Sequence, residues 1–266
     1  MLNPLLVKFL RLSKPILSRT IYKPGKPATI LLGPARGLKY RIFPDYGLSM
    51  IYGGWEPEIH DVMVRHVGAG GVAYDLGANF GIYSMFLAKL VGPSGTVYAF
   101  EPVGDIMRQL QDNIAMNNLQ NVEFVSRACA DQSGSTEFRI GNHSGSGHLD
   151  SADSCHRDAG PSIQVSTVSL DDFVANGAKP PTFIKVDVEG AEGLVFSGAA
   201  RVLKEHRPTI AVEVHSEEQS RIVGRALSNA SYSAFRVRPG LPKIDGLSNG
   251  FLYESGSAAY ILCIPD

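Results

Sequence analysis

The sequence predicts an α/β fold, in which a mostly parallel sheet carries helices on both faces, and three features of the chain favour it. From Val72 onward, short apolar runs alternate with longer segments of helical periodicity. The first apolar run, 72–76, leads through a glycine-rich turn directly into a helical segment. The next apolar run, 96–100, ends at an acidic residue, Glu101. Strands and helices that alternate in this way are typical of parallel α/β domains.

The first 44 residues are basic, whereas the rest of the chain is acidic. They hold nine of the 25 Lys and Arg residues, and no acid occurs before Asp45. The remainder therefore carries 16 basic against 26 acidic residues, which disfavours nucleic acid as a partner. We expect two regions, a basic arm with short strands at 1–50 and one α/β domain at 51–266.

Residues 1–20 alternate leucines with basic side chains, which suits a short amphipathic helix broken near Pro15. Two roles are open for this helix, because it can pack on the chain's own domain or lie on an anionic membrane surface. Basic residues interrupt its apolar run and no small-residue cleavage site follows, so a signal peptide is disfavoured.

Cysteine usage and hydropathy favour a cytoplasmic protein. The chain has three widely spread cysteines and no C-x-x-C pair, which fits a reducing compartment. No apolar run reaches the ~20 residues that span a bilayer. We therefore expect a cytoplasmic location, with peripheral membrane contact through the arm as the alternative. The sequence does not predict an oligomeric state.

The turn after the first strand of the α/β domain has the shape of a nucleotide-binding site. Gly77 and Gly81 let a ligand approach the backbone closely. Asn79 is expected to cap the helix that follows at 80–90. The phosphate fingerprint G-x-G-x-x-G is absent, and the carboxylate of Asp75 would repel a pyrophosphate. The turn therefore favours a ligand with a cationic group and no phosphate, such as S-adenosylmethionine with its ammonium.

Several motifs resemble those of class I methyltransferases in order and spacing. Asp-x-Gly-x-Asn-x-Gly at 75–81 resembles the first motif, and Phe-Glu-Pro at 100–102 resembles the second. The run 183–192, preceded by Ser-Leu-Asp-Asp-Phe at 169–173, resembles the FkbM-like branch of that superfamily. The similarity covers residues 52 to 216.

The resemblance implies a Rossmann-like class I methyltransferase fold with a mostly parallel seven-stranded sheet, a methyltransferase domain at 51–266, and S-adenosyl-L-methionine as cofactor. Glu101 would bind the ribose, as the acid about 20 residues beyond the glycines does in dinucleotide folds. The segment after the third strand would adjoin the adenine. The predicted cofactor contacts are Asp75, Gly77, Ala78, Asn79, Gly81, Glu101, Pro102, Ala128 and Asp131.

The remaining elements continue the alternation, after short strands at 28–52. A glycine-rich segment at 52–58 either folds over the cofactor or simply opens a helix. A polar loop at 141–160 is expected to face the substrate, and its histidines and cysteine match no standard zinc spacing. The further predicted strands are 122–126, 136–140, 163–168, 182–188, 209–215, 231–237 and 258–264, and the predicted helices are 103–118, 192–205 and 217–230.

Two of these strands carry charged residues at their carboxyl ends. Side chains alternate faces along a strand, so Lys185, Asp187 and Glu189 share one face of the fourth strand. In the fifth strand, Glu213 and His215 share a face. Ligands bind outside this edge in open α/β sheets. We therefore predict Asp187, Glu189 and His215 as catalytic residues.

Three roles are open for this charged cluster. His215 or Asp187 can act as the base that deprotonates a hydroxyl acceptor. Alternatively, Asp187, Glu189 and Glu213 can hold Mg²⁺, a hard ion that prefers oxygen ligands. In a third reading the cluster is structural: Lys185 and Glu213 form an ion pair and the other groups are exposed at loop mouths. His215 can equally be a neutral partner that bonds a backbone group.

The predicted function is S-adenosylmethionine-dependent O-methylation of a hydroxyl on a small molecule, sugar or glycan, which is the class that the FkbM resemblance implies. A methyltransferase acting on nitrogen or on nucleic acid is the alternative enzyme, but the N-P-P-Y-type motif common in enzymes that methylate base amino groups is absent at 187–190. A cofactor-binding scaffold without turnover is the alternative outside enzymes. The missing third glycine and Asp75 disfavour a nicotinamide oxidoreductase.

Overall fold

The computed structural model describes residues 25–41, 51, 56–141, 147–149, 160–247, 253 and 260–266. The amphipathic helix predicted at 1–20 and the segment 52–55 lie outside these residues, as does most of the polar loop at 141–160. The chain divides into two compact units, Met1–Pro57 and Glu58–Asp266. The domain boundary expected at residue 50 stays a prediction.

The first unit contains a short antiparallel hairpin. Strand β1 (Pro27–Thr29) pairs with β2 (Lys39–Arg41), and the amide of Ile30 donates to the carbonyl oxygen of Leu38 at 2.8 Å. The side chains of Ile30 and Tyr40 are buried. Short strands are therefore present in the region where the sequence predicts them.

The rest of the chain alternates helices and strands. Its first half contains α1 (Pro57–His66), β3 (Val72–Leu76), α2 (Ile82–Val91), β4 (Thr96–Phe100), α3 (Gly104–Met116), β5 (Val122–Val125), β6 (Ala128–Cys129), β7 (Gly134–Ile140), β8 (Gly147–Leu149) and β9 (Ser162–Val168). Its second half contains α4 (Leu170–Ala175), β10 (Phe183–Val186), α5 (Glu192–Ser197), a π-helix (Val202–His206), β11 (Thr209–Glu213), α6 (Glu217–Asn229), β12 (Tyr232–Arg236), β13 (Lys243–Ile244) and β14 (Tyr260–Pro265). Within the described ranges, no helix is long and apolar enough to cross a membrane.

The central sheet has the strand order β13-β12-β14-β11-β10-β3-β4-β5. Its five strands from β11 to β5 are parallel, and β14, β12 and β13 extend the sheet with antiparallel pairing. The mostly parallel α/β sheet is therefore confirmed, and all seven strands predicted for it are present. The eighth strand, β13, corrects the predicted count, because two residues are too few for a periodic sequence signal.

Aromatic packing holds the middle of this sheet. Tyr74 on β3 and Phe100 on β4 contact Phe173 of α4, with ring centroids 5.7 and 5.0 Å from that of Phe173. The parallel strands read as nearly continuous apolar runs because both of their faces are buried. On β10, for example, the neighbouring residues Phe183 and Ile184 lie on opposite faces and are both buried. This core aligns the carboxyl ends of β3, β4, β10 and β11, where the predicted site lies.

A second sheet of four strands, in the order β6-β9-β7-β8, follows β5. Strands β7 and β9 are antiparallel and correspond to the strands predicted at 136–140 and 163–168. Strand β8 lies within the segment predicted as a polar loop, and His148 on β8 pairs in register with Arg139 on β7. The loop prediction was wrong for 147–149, because backbone pairing with β7 forms a strand despite the polar sequence.

The helix predicted at 192–205 is divided in two. α5 ends just before Gly198, and a Cβ at Gly198 would lie 2.2 Å from the carbonyl oxygen of Ala130. The π-helix follows, and the carboxylate of Asp171 accepts the amides of Arg201 and Val202 at 3.0 and 2.9 Å. Contacts with neighbouring segments therefore set this break, and local helix propensity does not.

Candidate active site

The glycine turn joins the carboxyl end of β3 to α2. The amides of Gly77 and Ala78 both donate to the carbonyl oxygen of Phe100, at 3.1 and 2.9 Å, which fastens the turn to the end of β4. Gly77 has a φ of 75°, and a Cβ at this residue would lie 1.9 Å from the carbonyl oxygen of Asp187. Glycine is therefore required at residue 77, and the turn lies against the end of β10.

Asn79 shapes this turn and does not cap the helix. Its backbone is left-handed, with a φ of 51°, and its amide donates to Oε2 of Glu101 at 3.1 Å. Its own Oδ1 accepts the amide of Phe80 at 2.7 Å. α2 begins only at Ile82, with Gly81 at the N-cap and no side-chain cap. The predicted Asn79 cap was wrong, because the side-chain oxygen is used inside the turn.

The carboxylate of Glu101 lies at the end of β4 and holds the turn in place. It is 5% exposed, and its two oxygens accept the amides of Asn79 at 3.1 Å and of Val103 at 2.8 Å. Burial raises the pKa of Glu101 to about 7, even though the two amides lower it. A carboxylate oxygen has more than one lone pair, so each can accept a further hydrogen bond. This position suits two neighbouring hydroxyls, such as those of a ribose.

Asp75 is enclosed by protein at the end of β3. Its side chain has no exposed surface, and the hydroxyl of Ser84 donates to Oδ2 at 2.6 Å. Oδ1 lies 3.7 Å from Nζ of Lys185 and accepts no hydrogen bond within the described part of the chain. Burial raises the pKa of Asp75, and the Lys185 ammonium opposes that rise. The predicted contact between Asp75 and a cofactor ammonium stays a prediction.

Lys185 lies between Asp75, at the end of β3, and Asp187, just after β10. Its side chain is 2% exposed, and Nζ lies 3.2 Å from Oδ2 of Asp187 and 4.8 Å from the ring centroid of Tyr83. The hydroxyl of Tyr260 also donates to Oδ2 of Asp187, at 3.2 Å. Burial raises the pKa of Asp187, but the Lys185 ammonium and the His215 imidazolium outweigh it and hold that pKa below its usual range. Asp187 is therefore ionised at neutral pH.

His215 is surrounded by carboxylates. Its Nδ1 lies 2.8 Å from Oε1 of Glu192, and its Nε2 lies 3.5 Å from Oε2 of Glu189 and 3.8 Å from Oδ1 of Asp187. Burial lowers the pKa of His215, but the bond to Glu192 and the charges of the three carboxylates outweigh it and raise the pKa to about 10. His215 is therefore a buried cation at neutral pH.

The carboxylates of the cluster are its most open part. The side chains of Asp187 and Glu189 are 23% and 34% exposed, whereas that of His215 is 7% exposed. Glu189 has a left-handed φ of 52°, a strained conformation for a residue with a side chain. Glu213 also approaches, since ligand atoms of Asp187, Glu213 and His215 lie within 4.8 Å of one another. The fold thus brings together the charged residues that the sequence predicts at this edge.

Family membership follows from the sequence profile of the "Methyltransferase FkbM domain", which matches residues 75–238, more than half of the chain. The chain belongs to the FkbM methyltransferase family. It is an S-adenosylmethionine-dependent methyltransferase, as the motifs at 75–81 and 183–192 indicate. No curated protein matches the sequence.

Solved structures that are similar to this FkbM methyltransferase have low sequence identity to it. A candidate rRNA methylase from Clostridium thermocellum is 13% identical, with a TM-score of 0.50, and the match covers 78% of this chain and 93% of that chain. Methyltransferase FkbM from Methylobacillus flagellatus KT is 16% identical, with a TM-score of 0.48, and the match covers 73% of this chain but only 43% of that one. Fibrillarin from Aeropyrum pernix, solved with natively bound S-adenosyl-L-methionine, is 14% identical, with a TM-score of 0.44 and coverage of 75% and 68%.

The residues present fit S-adenosylmethionine. The turn at 77–81 brings backbone close to the sheet edge, and Glu101 keeps lone pairs that a ribose can use. Ala128 is buried on β6, and the amide of Ala130 donates to the carbonyl oxygen of Val168 at 3.1 Å. Asp131, by contrast, is exposed. The predicted adenine contacts at Ala128 and Asp131 stay predictions, as does that of Pro102.

The FkbM methyltransferase site also contains residues that the sequence analysis did not select. Glu192 is fully buried, and its Oε1 accepts the amide of Gly190 at 2.9 Å in addition to facing His215. Sequence reasoning passed over Glu192 because an acid in the first turn of a helix is usually a surface residue. Its place in the motif at 183–192 is the signal that could have found it. Ser84 has no such signal, since it is an ordinary helix residue in the sequence.

Proposed function

We propose that this FkbM methyltransferase transfers the methyl group of S-adenosylmethionine to a hydroxyl group on a small molecule, sugar or glycan. When bound, S-adenosylmethionine supplies a methyl group that is already activated by its sulfonium. The protein's task is therefore to hold the cofactor, align the acceptor and exclude water. The backbone of the turn at 77–81 and the carboxylate of Glu101 would hold the cofactor, with Pro102, Ala128 and Asp131 beside it.

The observation that carries this proposal is the burial pattern of the charged cluster. The cations Lys185 and His215 are almost fully buried, whereas the carboxylates of Asp187 and Glu189 are partly exposed. A hydroxyl is a weak nucleophile until it loses its proton, and a carboxylate within hydrogen-bond distance can accept that proton. The open face of the cluster therefore offers proton acceptors to a neutral hydroxyl.

Asp187 and Glu189 suit the role of base better than His215 does. With a pKa of about 10, His215 carries protons on both ring nitrogens at neutral pH and has no lone pair to accept another. Its Nδ1–H can donate to Glu192, and its positive charge attracts the carboxylates of Asp187 and Glu189, which lie near Nε2. We therefore assign His215 to holding the two carboxylates in position.

The same protonation state disfavours His215 as a metal ligand, because a histidine binds a metal as the neutral imidazole and His215 would first have to lose a proton. The Mg²⁺ ligands predicted from the sequence, Asp187, Glu189 and Glu213, are carboxylates, to which this requirement does not apply. Activity that survives EDTA would support the metal-free site. Activity that EDTA removes and only Mg²⁺ restores would support the carboxylates as ligands instead.

The test begins with the cofactor. Isothermal titration should show that the protein binds S-adenosylhomocysteine and does not bind NAD. Asp187→Asn and Glu189→Gln should bind S-adenosylhomocysteine normally. The matched control is Glu218→Gln, which removes an exposed carboxylate from the start of α6.

The acceptor is then sought in cells. Untargeted mass spectrometry of metabolites and glycans should show a product that is one methyl heavier with the wild-type gene and the Glu218→Gln gene. The same product should be absent with the Asp187→Asn gene. A methyl on a nitrogen or a nucleic-acid base would support the alternative enzyme. Binding of S-adenosylhomocysteine with no methylated product in any fraction would support a scaffold without turnover.

A further inference from the structure

His60 is a buried polar side chain that the proposed chemistry does not use. It lies near the start of α1 and is 4% exposed. Among the described residues, neither of its ring nitrogens has a hydrogen-bond partner. Burial lowers the pKa of His60 to about 4, so the ring is neutral at physiological pH. A neutral imidazole has one donor nitrogen and one acceptor nitrogen, and here both lack a partner.

The surroundings of His60 are aromatic. Its ring packs edge-on against Tyr83 and Phe86 of α2, with centroids 5.7 and 5.0 Å away. A phenylalanine or leucine would suit these neighbours without leaving polar atoms unsatisfied. Buried polar groups without partners destabilise a fold, and each one in a native protein calls for an explanation. Packing alone therefore does not account for a histidine at this position.

His60 is also close to the cofactor turn. Tyr83, which His60 contacts, is the second residue after Gly81 at the end of that turn. On the other side, the Tyr83 ring lies 4.8 Å from Nζ of Lys185, which contacts Asp75 at the end of β3. The Tyr83 ring and the Lys185 side chain thus connect His60 to Asp75 at the end of β3, where the amino-acid end of the cofactor is expected.

The amino-acid end of S-adenosylmethionine needs partners for an ammonium and a carboxylate. Asp75, the predicted partner of the ammonium, is fully enclosed: its Oδ2 accepts the hydroxyl of Ser84, and its Oδ1 lies 3.7 Å from Nζ of Lys185 and accepts no hydrogen bond within the described part of the chain. We propose that the ring nitrogens of His60 form hydrogen bonds with the amino-acid end of the bound cofactor. The proposal rests on the proposed function, because it requires S-adenosylmethionine at the turn. It makes His60 a cofactor-binding residue whose polar atoms are satisfied only in the complex.

Two ligands test the proposal by isothermal titration. S-adenosylhomocysteine has the amino-acid end, whereas 5′-methylthioadenosine has the adenine, ribose and sulfur but lacks that end. His60→Phe keeps a flat ring against Tyr83 and Phe86, and His60→Leu is a smaller second variant. Both should bind S-adenosylhomocysteine about 10-fold or more weakly, the loss expected for a hydrogen bond to a charged group. Both should bind 5′-methylthioadenosine as wild type does.

Thermal unfolding without ligand supplies an independent readout. Because the substitutions remove two unsatisfied nitrogens, at least one of the two variants should melt at a higher temperature than the wild type. The matched control is His66→Leu, in the last turn of the same helix, where the side chain is partly exposed. His66→Leu should leave both ligand affinities unchanged and should not raise the melting temperature.

Each other outcome counts against the proposal in a different way. Unchanged affinity for S-adenosylhomocysteine in a folded His60 variant would show that His60 does not contact the cofactor. An equal loss for both ligands would show a general disturbance of the site. A lower melting temperature in both His60 variants would show that the ring has structural partners. If the wild type bound neither S-adenosylhomocysteine nor 5′-methylthioadenosine, the cofactor site itself and the proposed function would be overturned.

Discussion

Substitution of Lys185 by methionine should destabilise the fold through the charge it leaves behind. Lys185 lies 3.7 Å from Oδ1 of Asp75 and 3.2 Å from Oδ2 of Asp187, and Asp75 has no exposed surface. Methionine fills a similar volume, so the main change is the loss of the ammonium. Asp187 keeps Tyr260 and His215 as partners, whereas Asp75 keeps only the neutral hydroxyl of Ser84 among the contacts described above.

The magnitude follows from these distances. At an effective dielectric constant of about 20, the Coulomb attraction of an ion pair at 3.7 Å is about 4.5 kcal/mol. Breaking a buried pair by removing one partner typically costs about 3–5 kcal/mol. We therefore expect Lys185→Met to lower the free energy of unfolding by about 3–5 kcal/mol at pH 8. Lys179→Met is the matched control, because Lys179 is exposed and donates to Oγ1 of Thr96, and it should cost about 1 kcal/mol or less.

A double variant and a change of pH separate charge from packing. Asp75→Asn in the Lys185→Met background removes the stranded charge and should recover most of the lost stability. Without Lys185, the pKa of Asp75 should rise further, so Asp75 binds a proton more tightly in the folded than in the unfolded state. The Lys185→Met protein should then lose stability as the pH rises, and its deficit should be larger at pH 8 than at pH 5.

Urea unfolding of the wild type and the three variants at both pH values measures these differences. A loss of less than about 1 kcal/mol for Lys185→Met would refute the argument from the buried charge. So would a double variant that is less stable than Lys185→Met alone, because the deficit would then come from packing.

Other predictions concern a second buried charge, the glycine turn and the basic arm. Because the pKa of His215 rises from 6.5 to about 10 on folding, its contribution of at most ~5 kcal/mol should be complete below pH 6.5 and lost as the pH rises through 10. Urea unfolding should therefore show that the stability difference from His215→Gln shrinks over that range, and a constant difference would contradict the ionic role. Gly77→Ala should lower the free energy of unfolding by more than about 3 kcal/mol, because its Cβ would lie 1.9 Å from the carbonyl oxygen of Asp187. Gly240→Ala is the control, since Gly240 also has a positive φ but a Cβ there would have nothing within 4 Å. It should cost about 1–2 kcal/mol in the same unfolding assay. We also propose that the basic arm binds anionic membrane surfaces, so vesicle sedimentation should detect salt-sensitive binding that deletion of residues 1–20 abolishes, and binding to neutral vesicles would argue against it.

The parts of the fold that sequence reasoning predicted correctly are those with local signals. The apolar runs of β3 and β4 mark buried strands, and the glycines between Asp75 and α2 mark a sharp turn, because each of these requirements acts within a few residues. Glu101 directly follows β4, as the sequence predicts, and its contact with a ribose stays a prediction. The FkbM family and the α/β sheet follow from such signals.

The features that sequence reasoning missed depend on contacts between distant segments. Glu192 is important through His215, which lies 23 positions further along the chain. The break before the π-helix comes from the contact of Gly198 with Ala130 and from the hydrogen bond of Val202 to Asp171. No local sequence pattern predicts either contact. The protonation of His215 likewise depends on three carboxylates that the fold assembles. A candidate base in the sequence therefore becomes a buried cation in the structure.

Tyr260, which donates a hydrogen bond to Asp187 of the candidate site, lies on β14. Along the chain β14 follows the other described strands of the central sheet, yet it lies between β11 and β12 and pairs with both. Until β14 has left the ribosome, the nascent chain therefore exposes the unpaired edges of β11 and β12. Such edges are sites for aggregation and chaperone binding. Premature termination before Tyr260 should thus yield insoluble protein and no weakly active fragment.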